Sequence, residues 1–453
     1  MLSVSLEDVY WKACRWDLAT YKRHLGSLPR YLSTLLNGIG RTERRLAIAR
    51  YVEGLLLPGR RKFIRPLAER LNVDSQSLQQ AITNSPWDDR EIWSAIRSEV
   101  IPLFEPFDRW VIAERAWTKQ GNSTAAVDNQ RCGANGKKQH CQVSIEVLAS
   151  DGAIVAPAAA RLYLPEAWAT DGQRRLRAEI PEDVAFSTKP ALAIQLMKEA
   201  ARDSVQPAVV VADSSYGNDQ DFRLALIRLG FEFFLEIDPS CNEAWDCEST
   251  LPGLEGELST EPCGLEDIVS HIEPAEWRNC SWTNVDGVPR RTRLATREIL
   301  LDSGPYHIQN SQEKVLLVVD WPIGDPKPYR CYVSQFSKPP TNARLLRLSR
   351  FRTYEGFYNE CFDRTLDLGC YQGRSWKGFH HHLVLAAAAY LFLLTVELKG
   401  RRPFCPSLSE DYPIDQALAV EIARFASVLL RSGNPVDHRN GYSSTHLILS
   451  KGA

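Results

Sequence analysis

The residue pattern predicts an α/β fold: a mixed sheet covered by helices, interrupted by a β-rich insertion and preceded by a helical domain. Three observations carry this. Val209-Val210-Val211, bounded by Pro207 and Gly217, reads as a strand buried on both faces, with helical text following from Asp219 to Leu229. Strand-like stretches at 108–117, 141–148 and 153–164 come in series before a helix from Pro190 to Ala201, and strand and helix then alternate as far as Phe231 to Ile237. From Cys241 the alternation stops, and strand-like pieces at 291–301, 314–320 and 329–333 follow an acidic, loop-rich part. The expected divisions are a helical domain over 1–100, the first part of the sheet core over 101–240, the insertion over 241–336, a helical remainder of the core over 337–400, and a terminal helix and tail over 401–453.

Asp213 ends the Val209 strand. In an open α/β sheet the carboxyl ends of the strands are where ligands and metals are held, so Asp213 would stand at the lip of a cleft while the valines pack the core. Aspartate serves equally as a helix N-cap or in a turn, and this stretch alone leaves both roles open.

A chain of 453 residues is too long for one compact core. Hydrophobic residues make up 44% and charged residues 24%, ordinary for a globular protein. No stretch reads as a secretory signal. The most apolar run, Leu383 to Val396, is shorter than a membrane span and reads as a buried helix, so no membrane partner is expected. Eleven cysteines without a C-x-x-C pair point to free thiols in a reducing cytoplasm, with a zinc site at Cys241, Cys247, Cys263 and Cys280 as the lesser alternative. The formal net charge of -2 hides an uneven map: Arg41 to Arg70 holds nine basic residues against three acidic, whereas Cys241 to Glu276 holds ten acidic residues and no Lys or Arg. An anionic partner would meet the first segment and be repelled by the second.

After Gly40, Arg44 to Leu56 has helical spacing, Pro58-Gly59 breaks it, and Arg61 to Leu71 starts a second helix. Asn72-Val73-Asp74 is a short turn before a third helix, capped by Asp74 or Ser75 and running to about Thr83. Two helices joined by a three-residue turn outline a helix-turn-helix. In that reading Gln76, Ser77, Gln79 and Gln80 offer side chains able to pair with base edges of duplex DNA, while the preceding basic residues take phosphates. A solvated helical hairpin would carry the same charges.

Further along, Asn342 to Leu366 reads as a helix bearing Arg344, Arg347, Arg350 and Arg352 with Glu355, Glu360 and Asp363. Gly378 to Leu398 reads as an apolar helix and Ile414 to Leu430 as an amphipathic one. Adjacent residues on a helix point in different directions, so His380-His381-His382 is not expected to form a metal site; one of them packs or touches DNA. Trp376 and Tyr371 read as core residues.

Several stretches are familiar as a set. Cys132-Gly133-Ala134-Asn135-Gly136-Lys137 with Cys141-Gln142, Leu162-Tyr163-Leu164-Pro165-Glu166-Ala167-Trp168, Ala212-Asp213-Ser214-Ser215-Tyr216-Gly217, Trp321-Pro322-Ile323-Gly324-Asp325 and Gly373-Arg374-Ser375-Trp376-Lys377-Gly378-Phe379-His380-His381-His382 resemble, in order and spacing, the insertion-sequence DDE transposases of the 701 family. The segment from Leu55-Leu56-Leu57-Pro58 to Ser85-Pro86-Trp87-Asp88 resembles that family's amino-terminal DNA-binding region, and the likeness runs from about Arg41 to Leu398. It implies an RNase H-like core split by a β-rich insertion, in which two Asp and one Glu hold two divalent ions, Mg²⁺ or Mn²⁺, for strand cleavage and strand transfer. The implied partner is double-stranded DNA, as transposon ends and target. A homodimer is an allowed assembly, and the nucleoid of a bacterial cytoplasm is the implied location. The residue types suit the chemistry, since phosphodiester cleavage uses hard oxygen ligands around two ions about 3.5–4 Å apart. Three converging carboxylates repel one another until those cations arrive.

The departures from the family pattern fall on the chemistry. The first strand, which in the family ends in Asp-Asp-Thr, reads Ala113-Glu114-Arg115, and Glu114 takes the first carboxylate's place. One methylene longer, it would displace a bridging oxygen by about an ångström, a misplacement that can cost on the order of a hundredfold in rate. Arg115 would bring positive charge near the metal's place, and Asp213 matches the second carboxylate. For the third, counting back from Gly373-Arg374-Ser375-Trp376 reaches Gly356; a one-residue slip selects Glu355, with Glu360 as the next choice. Trp282 to Val288 likewise replaces the family's Trp-Arg-Glu-Gly-Thr-Lys-Gly. Two readings follow. One is a transposase that binds its element's terminal inverted repeats through the amino-terminal helices and cuts with Glu114, Asp213 and Glu355. The other is a relative that keeps the fold and the DNA surface without cutting. Arg61, Lys62, Arg65, Arg374 and Lys377 take phosphates in both.

Overall fold

The computed structural model describes residues 23–398, apart from 58–60, 105, 132–137, 153, 204–206, 208, 248–261, 284–288, 302–312, 326–329, 353–357, 360–365 and 367–370. The expected helix from Ile414 to Leu430, the tail after it and the Cys132 to Lys137 motif lie outside the described residues, as do Glu355, Gly356, Glu360 and Asp363.

Leu28–Leu35 (α1) and Thr42–Leu56 (α2) bury Leu28, Leu32 and Leu35 and Tyr51, Val52 and Leu55. Ile64–Leu71 (α3) begins later than the spacing predicts, because Arg61 adopts a φ of 62° that a right-handed helix does not contain. Asn72, left-handed at φ 52°, closes α3, and Asp74 opens Ser75–Gln79 (α4) by accepting the backbone N–H of Ser77 at 2.7 Å. The two helices and their short turn are therefore present. α4 widens into a π-type turn over Gln80–Asn84, and Asp89–Ala95 (α5), capped by Asp88, into another over Ile96–Val100.

The sheet begins with Arg109–Thr118 (β1), Asp128–Arg131 (β2), Lys138–Ser150 (β3) and Val155–Leu162 (β4). Glu166–Ala169 (α6) and Gly172–Arg177 (α7) lead to Lys189–Arg202 (α8), whose cap Thr188 accepts from the backbone of Ala191 and whose first turn holds Pro190. Val210–Ala212 (β5), Ser214–Gly217 (α9), Gln220–Arg228 (α10) and Phe233–Ile237 (β6) continue the alternation. Glu243–Asp246 (β7), Cys263–Gly264 (β8), Leu265–Ser270 (α11), Arg278–Thr283 (β9), Pro289–Leu301 (β10), Glu313–Pro322 (β11) and Arg330–Gln335 (β12) follow, then Asn342–Ser349 (α12) and Trp376–Leu398 (α13).

The twelve strands among the described residues join one sheet in the order β2-β3-β1-β5-β6-β12-β11-β10-β7-β8, with β4 added to β3 and β9 to β10. β1 is antiparallel to β3 and parallel to β5, and β5 is parallel to β6. The strands expected over 241–336 are present, but they extend the core sheet instead of forming a layer of their own. β12 pairs antiparallel with β6 from Phe233 to Ile237 and so covers what would be an open edge. The helix expected from Asn342 to Leu366 is interrupted: α12 ends at Ser349 and Arg350 leaves helical geometry, while Phe351, Arg352, Tyr358, Asn359 and Leu366, the described residues beyond it, are again helical.

α13 is longer than the apolar run in the sequence. Trp376–Val396 is long and apolar enough to cross a membrane, and 94% of its most apolar window is buried inside the protein. It packs between the amino-terminal helices and the sheet. Tyr31 donates to the carbonyl of Ala388 at 2.7 Å, Tyr51 meets His382 Nδ1 at 2.8 Å, and Tyr390 donates to Val155 at 2.9 Å. His381 lies between the carbonyl oxygens of Ile82 and Trp87 and stacks on the Trp87 ring. The His380 Nδ1–H donates to Trp376 at 2.9 Å, leaving Nε2 to accept the backbone N–H of Leu162 at 3.2 Å. All three histidines are thus buried packing groups.

Burial pushes His380 down from its ordinary 6.5 to about 4. A proton on Nε2 would also repel the Leu162 N–H. A depressed histidine stabilises the fold fully above its unfolded value and loses that stability as pH falls from about 6.5 towards 4, up to about 3 kcal/mol for this single group. Urea midpoints measured across that window should fall more steeply for the native protein than for His380→Gln, and parallel profiles would show that this ring does not govern acid sensitivity.

Candidate functional site

Strand alternation divides the β1 side chains between two faces. Ala113, Arg115 and Trp117 project to one side and Glu114 to the other. On the first side Trp117 meets Phe379 of α13 edge-on, and the Arg115 Nε donates to Glu146 Oε1 at 3.1 Å. Glu146, on β3 opposite Ala113, also accepts from Ser144 Oγ at 3.0 Å and from Tyr358 OH at 3.1 Å, and the Arg115 guanidinium lies over the Tyr358 ring. Arg115 therefore neutralises a buried carboxylate that the motifs had not singled out.

β1 and β5 are paired in register at Trp110–Val210 and Val111–Val211, so two residues further on Asp213 comes level with Ala113, not with Glu114. By the same count from Ala212–Leu235, Glu236 lies beside Asp213. Arg352 ties the two acids together, 2.9 Å from Glu236 Oε2 and 3.8 Å from Asp213 Oδ2, and Arg330 reaches the same Glu236 oxygen at 2.8 Å. Asp213 in addition caps α9, accepting the backbone N–H of Ser215 at 2.9 Å. Of the two roles open in the sequence, the cap is the one this contact shows. Gly217 fits there because a Cβ would stand 1.8 Å from the carbonyl oxygen of Glu236.

Glu114 stands on the opposite face. Its side chain is 2% exposed, paired with Lys189 Nζ at 2.8 Å and accepting from Tyr216 OH at 3.3 Å. It floors a cavity of about 280 Å³ lined by Tyr163, Phe186, Thr188, Lys189 and Tyr216. The expected convergence of Glu114 with Asp213 is thus not formed: the two-residue period of β1 turns them to different sides. Glu355 and its alternative Glu360 lie outside the described residues. Among the described residues no group of three or more His, Cys, Asp or Glu side chains is disposed to hold a metal ion. The oxygen donors on the Asp213 face are bound instead by guanidinium groups, and this donor set does not fit a pair of divalent ions.

The residues expected at DNA fare differently. Gln76, Gln79 and Gln80 are exposed along α4 and its continuation, and Arg61, Arg65 and Arg374 are exposed as well. Arg65 pairs with Glu69 at 3.4 Å on the open surface, and Lys377 is half-buried in the first turn of α13. Lys62 is a correction. It is 2% exposed and donates to the carbonyl oxygen of Leu55, so it closes the end of α2 and is not presented to phosphates. Thr83 lies against Gly378, which brings the glutamine-bearing segment beside Arg374 and Lys377. The four insertion cysteines are free thiols.

Lys189→Met would leave Glu114 buried without its cation, which should lower stability by about 3 kcal/mol. The double variant Glu114→Gln/Lys189→Met should recover most of that loss in urea unfolding. Equal stabilities for the single and double variants would show that the pair is not coupled.

A sequence model of the family described as DDE superfamily endonuclease matches residues 34–285. No curated protein matches the chain. The mixed α/β sheet is consistent with a DDE nuclease fold. Since the family match spans more than half of the 453 residues, across both β1 and the Asp213 strand, the chain belongs to the DDE superfamily endonucleases.

Proposed function

We propose that this chain is a transposase-type DNA-binding protein that retains the surface with which an insertion-sequence transposase of the 701 family grips its terminal inverted repeats, and has lost metal-dependent cutting. The observation that carries the reading is Arg352. A guanidinium lying between Asp213 and Glu236, with Ala113 where a facing carboxylate would be needed, supplies internally the positive charge that two Mg²⁺ or Mn²⁺ ions would otherwise bring. Binding rests on duplex DNA as partner. Arg61, Arg65, Arg374 and Lys377 would take phosphates, and Gln76, Gln79 and Gln80 would meet base edges.

Incubation of the full chain with a labelled duplex carrying the gene's own flanking ends, with Mg²⁺ or Mn²⁺, should give binding that weakens as salt rises and no strand cleavage, and Asp213→Ala should leave the binding unchanged. Cutting that disappears in Asp213→Ala and in Glu355→Ala would establish an active DDE transposase in place of a non-cutting relative.

A further inference from the structure

The cavity above Glu114 has no part in the DNA-binding reading. Its place in the sheet is set by the path of the chain. β1 and β5 run parallel as neighbours, but the chain leaves β1 towards β2 and β3 on one side, and leaves β5 through α9 and α10 towards β6 on the other. Where connections part in this way a crevice opens beyond the carboxyl ends of the strands, and open α/β sheets hold their ligands there. Glu114 lies on the later half of β1 and Tyr216 just past β5, and both line the cavity. The start of α8, with Thr188 and Lys189, closes one side.

Size and charge narrow the occupant. About 280 Å³ falls just below the usual range of small-molecule pockets, about 300–1,000 Å³, and equals the liquid volume of about nine waters. Glu114 and Lys189 cancel one another at 2.8 Å. Arg131, also in the lining, is offset by Asp128 and Glu166, whose fields both reach Tyr163. No surplus of positive charge is there to hold a phosphate or a carboxylate. Burial first, and then Glu114, Glu166 and Asp128, push the Tyr163 phenol above its ordinary 10, so it stays a neutral hydroxyl.

The walls offer both donors and acceptors. Lys189 directs two of its three N–H bonds to Glu114 and to the carbonyl oxygen of Arg131, at 2.8 and 2.6 Å, and has one more to donate. Thr188 accepts the Ala191 N–H at 3.3 Å and keeps its own O–H. Beside them the Phe186 ring stands 40% exposed, edge-on to Tyr163 with 6.5 Å between centroids. An exposed ring in a cavity wall presents a face on which a planar group can stack.

We infer that this cavity binds a nucleobase, an uncharged planar heterocycle with donors and acceptors around its edge, stacked on Phe186 and hydrogen-bonded by Thr188, Lys189 and Tyr163. The base comes from a free nucleoside or from an unpaired position in a duplex. The site is separate from the Asp213 face and from the phosphate contacts of the amino-terminal surface, and does not depend on them.

The test is the binding of 2-aminopurine riboside to the full chain, read by the anisotropy of the probe. Adenosine should compete with it, and adenosine monophosphate should compete no better. Phe186→Ala should weaken binding about fivefold or more, with the urea midpoint unchanged because that ring lies outside the core, and Tyr163→Phe should weaken it as well. A riboside that the native chain does not bind, or that both variants bind as the native chain does, would overturn the cavity assignment and leave the DNA reading standing. Tenfold tighter binding of the monophosphate than of adenosine would overturn the uncharged class. A native chain that binds the riboside but no duplex would uphold the cavity and overturn the DNA reading. The two sources are separated by a duplex with 2-aminopurine at a mismatched position. Fluorescence released from base stacking on binding, and lost in Phe186→Ala, identifies the duplex as the source; unchanged fluorescence with the riboside bound identifies the free nucleoside, and either result upholds the cavity.

Discussion

The fold depends on the burial of α13. A helix of 23 residues whose stretch from Leu383 to Val396 has only Tyr390 and Thr395 as polar side chains satisfies its backbone internally and can be buried deeply, so it serves as a common wall for the amino-terminal helices and the sheet. Its polar exceptions are used as fasteners: Tyr390 and His380 join it to β4, and His381 and His382 join it to the π-type turn after α4 and to α2. The glutamine-bearing α4 is for this reason held in a fixed relation to the sheet, not carried on a tether. Whatever the amino-terminal helices bind is presented to one defined face of the core.

A second constraint, the two-residue period of a strand, decides the chemistry. Had the acid in Ala113-Glu114-Arg115 stood one position earlier or later, it would share a face with Asp213; at position 114 it meets Lys189 and Tyr216 instead. The Asp213 face is left with Glu146 and Glu236, both closed by arginines. Buried carboxylates left without cations would be costly, so the arginines and acids hold one another in place. The mixed sheet is consistent with a DDE nuclease fold, and the described acids on this face are balanced by arginines.

Much of this was legible in the sequence because it is local. The period of Val209-Val210-Val211, the turn at Asn72 to Asp74, the cap at Asp74 and the strands of the insertion depend on residues a few positions apart, and all are present. What could not be read was non-local. Arg115 finds Glu146 31 positions away, and Arg352 finds Glu236 116 positions away. The pairing of β12 with β6 that makes one sheet of core and insertion has no local signature. Lys62 misled for a related reason: a lysine in a basic run reads as solvated, but its stem folds back to the end of the preceding helix. The face of Glu114 could be counted only after the register of β1 with β5 was known.

The pairing of Ile237 with Cys331 has an evolutionary consequence. The chain leaves the core sheet at β6 and returns beside the residue from which it left, so everything between is an excursion whose two ends are already joined by a ladder of backbone bonds. Such a segment can change length and decoration while its anchor points stay fixed, because the entropy of closing a loop rises only slowly with its length. The charge pattern of this segment can therefore be rewritten from one lineage to the next without disturbing the sheet that supports it.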